Sequence, residues 1–116
     1  AGVSEQELQQ RIRLQLGSSP VRLWRNNVGA LRDERGRLVT YGLCKGSSDL
    51  IGLRQVLIGP EHLGQTLAVF SAIEVKAPKG RLREEQRSFL ALVERFGGYS
   101  GVATSVEEAA RVLRLS

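Results

Sequence analysis

Three residues, one well upstream of the other two, carry side chains suited to breaking a phosphodiester bond: Asp49, Glu74 and Lys76. One residue separates Glu74 from Lys76, and alternate side chains of a strand leave on the same face, so this carboxylate and this ammonium project together. Carboxylates are the hard oxygen ligands that Mg²⁺ prefers, and Mg²⁺ takes one or two from a protein while water and phosphate fill its other positions. Asp49 and Glu74 are the expected pair, with the carbonyl of Val75 as a further ligand. An ion held there would make hydroxide available from a bound water and neutralise charge on the scissile phosphate. Lys76 beside it would orient the attacking water or stabilise the pentacoordinate phosphate, a task that requires charge. A bare Glu-x-Lys is more commonly an exposed ion pair on a strand end. Here it closes a strongly apolar stretch, an Asp stands upstream at a Gly-Ser-Ser turn, and an Arg-rich segment follows.

These groups need elements to position them. Ser4 and Glu7 have capping-box spacing, and Leu8, Ile12 and Leu16 then recur at helical intervals until Gly17. On a helical wheel Glu5 falls on the side of Leu8 and Ile12 while Glu7 points away, which makes Glu5 the inward carboxylate; a favourable charge at a helix N-terminus is its other reading. Val21 to Arg25 has a short strand pattern, Leu38 to Tyr41 is rich in strand formers, and a hairpin is expected around Glu34 to Gly36. The glycines and serines of residues 42–48 predict a turn that delivers Asp49 to a strand running to Ile58, interrupted by Gly52. Leu67 to Val75 reads as the central strand, and pairing of the Asp49 strand beside it as a hairpin would bring the three reactive groups to one sheet edge. Leu82, Phe89, Leu90, Leu92, Val93 and Phe96 form a helical stripe closed by Gly97-Gly98, Gly101 to Thr104 is a further strand, and Ser105 caps a last helix.

At 116 residues there is room for one domain and one core, spanning 1–116. The composition is 41% hydrophobic and 25% charged, ordinary for a globular chain rather than a disordered one. No apolar run reaches the length of a membrane span, and Ala1 to Ser19 lacks the pattern of a secretory signal, so no membrane partner and a cytoplasmic location are expected. The single Cys44 reads as a small packing residue. Seventeen basic residues, fourteen of them Arg, against twelve acidic ones give +5 and make polyanions plausible partners. His62 stands alone as a surface residue, and Trp24 and Tyr99 are more at home in packing than in base stacking. The Gly46-Ser47-Ser48 turn lacks the spacing of a Walker loop, so no nucleotide cofactor is expected.

Five stretches together resemble one family: Ser4-Glu-Gln-Glu-Leu-Gln9, Trp24-Arg-Asn-Asn-Val-Gly29, Lys45-Gly-Ser-Ser-Asp-Leu-Ile-Gly52, Ala72-Ile-Glu-Val-Lys76 and Glu85-Gln-Arg-Ser-Phe89. They are similar to the virus-type replication-repair, or VRR-type, nucleases of the PD-(D/E)XK superfamily, over nearly the whole chain. The resemblance implies an α/β restriction-endonuclease-like core, a mixed β-sheet flanked by α-helices. It implies that Asp49, Glu74 and Lys76 are catalytic, that a helix-1 glutamate joins them, and that Gln86 faces the site. The pattern leaves Glu5 and Glu7 both open for that glutamate, and the wheel favours Glu5. Ser48 stands where the family's usual proline precedes the Asp. On the same reading Arg25, Asn26, Asn27, Lys45 and Ser48 contact DNA phosphates near the cut, and Lys79, Arg81, Arg83 and Arg87 form a second basic cluster. The implied activity is Mg²⁺-dependent cleavage of DNA, with Mn²⁺ able to substitute. Stand-alone members resembling this chain are similar to homodimeric junction-resolving enzymes, so branched DNA and a two-fold pair are expected, the segments around Val56 to Ile58 and Leu67 to Phe70 being its candidate interface. A flap or mismatch nuclease and a catalytically silent nucleic-acid-binding module are the rival readings.

Overall fold

The computed structural model describes residues 3–115. The chain divides into two compact units, Ala1–Arg54 and Gln55–Ser116.

The first unit opens with α1 (Glu5–Leu16), where the Ser4 hydroxyl accepts the Glu7 N–H at 3.1 Å and so satisfies one of the donors a helix start leaves free. Gly17 ends it, its N–H donating to the Arg13 carbonyl. α1 packs on β1 (Val21–Arg25), with Gln9 and Ile12 half-buried while Leu8 and Leu16 stay exposed. β1 pairs antiparallel with β4 (Leu50–Arg54), and Leu53 is the buried side chain of that ladder. Gly52 lies opposite Leu23; a Cβ there would collide with the Arg22 carbonyl, so the ladder admits only glycine at this point. The expected hairpin forms from β2 (Gly29–Arg32) and β3 (Leu38–Tyr41). Asp33 shapes its turn by accepting the N–H groups of Arg35 at 2.9 Å and Arg37 at 2.8 Å, while Gly36 takes the positive φ of +78°.

The second unit begins with a 3-10 turn, Pro60–His62, in which His62 Nδ1 accepts the Gly59 N–H at 2.9 Å. It is then a β-α-β arrangement: β5 (Ser71–Val75), α2 (Glu84–Arg95) and β6 (Tyr99–Ala103), the two strands parallel. α2 packs on both strands and α3 (Val106–Val112) on β6. Leu92, Val93 and Ala103 are buried. The end of α2 is a Schellman motif: Gly98 N–H donates to Val93 O, Gly97 N–H to Glu94 O, and Gly97 takes φ +94°. Ser105 caps α3 by accepting the Glu108 N–H.

The element order and α/β character agree with the sequence reading, and two strand bounds change. The described residues form three two-stranded ladders, two antiparallel and one parallel, so both strand senses are present. β4 stops at Arg54 rather than Ile58, and β5 starts at Ser71 rather than Leu67. Within the units, β4 takes β1 as its ladder partner and β5 takes β6. No helix among the described residues is long and apolar enough to cross a membrane.

Candidate active site

Glu74 and Lys76 leave the same face at the end of β5, as the spacing required. Lys76 Nζ lies 3.6 Å from Glu74 Oε1, with the two side chains 19% and 30% exposed, so the pair is only partly screened by water. Gln86, in the first turn of α2, donates from Nε2 to the same Oε1 at 2.7 Å. Its own Oε1 accepts the Arg83 N–H at 2.9 Å, which ties the orientation of that amide to the helix start. Both contacts therefore land on one carboxylate oxygen of Glu74, and Oε2 takes no partner among the described residues. Glu74 and Gln86 border a cleft of about 430 Å³ that also includes Phe70, Ile73 and Phe89.

The Lys76 N–H donates to Ala103 O, and Tyr99 N–H to Phe70 O, so even-numbered residues of β5 direct their backbone groups toward β6. By the alternation of a parallel ladder, the carbonyl of Val75 faces away from β6. A carboxylate oxygen and a carbonyl oxygen are thus left outside the ladder, and both are ligands of the kind Mg²⁺ takes. No group of three or more His, Cys, Asp or Glu side chains able to hold a metal is present among the described residues. The donors fit a cation that keeps several waters, not a closed cage such as structural Zn²⁺ needs.

In the first unit Asp49 is exposed at the entry to β4, and its carbonyl accepts the Asn26 N–H at 2.8 Å, extending the β1–β4 ladder by one pair. It lines a polar cleft of about 490 Å³ together with Gln6, Arg25, Asn26, Asn27, Tyr41 and Ser47. Arg25 and Asn27 therefore stand beside Asp49, with Arg25 Nη2 donating to Asn27 Oδ1 at 3.4 Å. Lys45 and Ser48 are exposed in the turn before Asp49. The amide of Asn26 is used differently, since both of its hydrogens are committed to the 43–48 turn. Glu5, the first residue of α1, shares the side of Gln9 and Ile12 but is itself exposed, and Glu7 is exposed too. The α1 residue that borders the Asp49 cleft is Gln6, which the wheel argument passed over because it sought a carboxylate. Ser47 was likewise missed: a lone serine in a glycine-rich turn gives no signal until its partners are known. Lys79 and Arg81 are exposed before α2, Arg83 is its N-cap, and Arg87 is exposed on its second turn.

The VRR-NUC domain family model matches residues 3–107, a span that includes both clefts. The chain belongs to the VRR-NUC family. It is accordingly a nuclease domain of restriction-endonuclease-like fold, and the described residues have the mixed α/β content of that fold. Comparison with curated proteins and with solved structures returned no match.

Proposed function

We propose that this VRR-NUC domain hydrolyses phosphodiester bonds in branched DNA, with Asp49, Glu74 and Lys76 acting on the same bond. The observation that carries the reading is the Lys76 ammonium held 3.6 Å from Glu74 Oε1, with Gln86 on that same oxygen. A structural ion pair needs no third group to orient it; a carboxylate that must present its other oxygen to a ligand does.

Asp49, Glu74 and the Val75 carbonyl would hold Mg²⁺, for which Mn²⁺ substitutes. Held there, the ion would supply Lewis acidity that makes water easier to deprotonate and offsets charge on the phosphate. Lys76 donates hydrogen bonds to a phosphate oxygen and to the attacking water, stabilising negative charge as it gathers around phosphorus. The water gives up one proton to solvent as its oxygen bonds to phosphorus, the bond from phosphorus to the sugar oxygen breaks, and that oxygen takes up a proton from solvent, so one water is consumed for each bond cut. Glu5, at the start of α1, is the proposed helix-1 carboxylate. Arg25, Asn27, Lys45 and Ser48 hold phosphates near Asp49, and Lys79, Arg83 and Arg87 hold the backbone beyond α2. A two-fold pair of chains would offer one site to each of two strands. Leu57 and Ile58, 92% and 62% exposed and outside any strand, supply apolar surface for such a pair to bury.

The deciding experiment compares labelled four-way junctions, flaps and linear duplexes in Mg²⁺ at one salt concentration. Junctions are expected to be cut fastest, with Lys76→Ala abolishing cleavage while sparing binding. Faster cutting of flaps would replace the junction substrate. Binding without cleavage by the unaltered chain, or cleavage unchanged by Lys76→Ala, would overturn the catalytic assignment.

A further inference from the structure

We infer that Asn26 is a positioning residue for Asp49, acting through the turn at 43–48 rather than through the substrate. This rests on the reading of Asp49 as a metal-binding carboxylate.

Asn26 follows the last residue of β1 and reaches across to a segment seventeen to twenty-three residues away. Its Oδ1 accepts the Leu43 N–H at 2.9 Å, at the entry to the turn. Its Nδ2 donates to Ser47 Oγ at 2.7 Å and to the Ser48 carbonyl at 2.9 Å, at the exit. Its backbone N–H donates to the Asp49 carbonyl at 2.8 Å. Ser47 completes the clamp by donating from Oγ to the Cys44 carbonyl at 2.6 Å, while its own N–H donates to that same carbonyl at 3.0 Å. The carbonyl of Asp49 and that of the residue before it are thus both held by Asn26. The direction in which the Asp49 carboxylate leaves the chain depends on those two peptide planes.

Asparagine suits this place because its amide offers two donors and an acceptor within one short side chain. Aspartate would lose both donors and set a carboxylate against the Ser48 carbonyl; alanine would leave turn groups without partners. With both amide hydrogens committed, Asn26 has none to give a phosphate, unlike the exposed Arg25 and Lys45.

The test uses the whole chain and Asn26→Ala, Ser47→Ala and the double variant, with Asp49→Ala as control. Mn²⁺ binding to the protein alone is measured by calorimetry, four-way junction binding in EDTA by anisotropy, and kcat and KM in Mg²⁺. Asn26→Ala is expected to weaken Mn²⁺ binding and lower kcat by about tenfold each, the scale on which removing an outer-shell partner acts, while junction affinity in EDTA stays within about twofold. Amide exchange at Leu43 should quicken. Ser47→Ala should act in the same direction but less, and the double variant should fall short of the summed effects because the two residues share one network. Should Asn26→Ala fail to fold, Ser47→Ala still decides the matter through its Mn²⁺ affinity. Loss of junction affinity in EDTA with Mn²⁺ binding unchanged would make Asn26 a phosphate contact and overturn the inference. If Asp49→Ala abolishes Mn²⁺ binding while neither turn variant alters it, the positioning role alone falls. If Asp49→Ala leaves Mn²⁺ binding and cleavage intact, the metal-site reading falls and takes the inference with it.

Discussion

Glu74 owes its orientation to two donors of different kinds, a neutral amide at 2.7 Å and an ammonium at 3.6 Å, both on Oε1. The shorter contact is the more directional, so Gln86 sets the rotation of the carboxylate and Lys76 supplies charge beside it. Gln86→Leu, close in volume but without a donor, should lower kcat by about 10- to 100-fold, the range seen when an outer-shell partner is removed, and leave DNA affinity nearly unchanged. An unchanged kcat would show that Lys76 suffices to hold Glu74. The Glu-x-Lys spacing announced that these two side chains share a face, because strand alternation is a local rule. That Gln86 meets Glu74 across twelve residues of chain could be expected only from the family resemblance, since no local periodicity links a strand end to a helix start.

At the scale of elements, the starts of α1 and α3 were legible because caps are local: Ser4 and Ser105 sit where their hydroxyls accept the third N–H onward. Strand ends were not. The apolar stretch from Leu67 to Val75 suggested nine residues of strand, yet β5 has five, matching the five of β6 that it pairs with. Hydrophobicity marks residues that can enter a sheet, whereas a strand's length is set by its partner, and β6 is bounded by the α2 cap at one end and the α3 cap at the other. The β2–β3 hairpin was legible from its turn residues. Backbone donation from Arg37, with further donation from Arg35 and the Arg37 guanidinium, holds the Asp33 carboxyl below its ordinary range. A depressed carboxyl stabilises the hairpin at all pH values above its unfolded pKa of about 4, and that contribution is lost as pH falls through the lower folded value. Amide shifts of Arg35 and Arg37 should therefore move together below about pH 4 and lose that titration in Asp33→Ala. Flat shifts down to pH 2 would deny the turn its charged anchor.

For the whole molecule, +5 of net charge describes an attraction to polyanions without saying where they bind. If Arg25, Lys45, Lys79, Arg83 and Arg87 each neutralise one phosphate, log Kd for duplex DNA should change with log salt by a slope of magnitude about 4 to 5, and each alanine substitution should reduce it by about 1. A slope near 1 would place DNA binding elsewhere or make it mostly uncharged. By itself the sequence determined the α/β class, the starts of α1 and α3, the hairpin turn, the shared face of Glu74 and Lys76, and the family, because each rests on local spacing or on motif identity. Only the tertiary structure decided which strands pair, that Gly52 must lack a side chain, that both Gln86 and Lys76 choose one oxygen of Glu74, and that Asn26 turns its amide into the 43–48 turn. Those outcomes depend on which groups meet across long stretches of chain, and a hydrogen bond between distant residues leaves no periodic trace in the order of the residues.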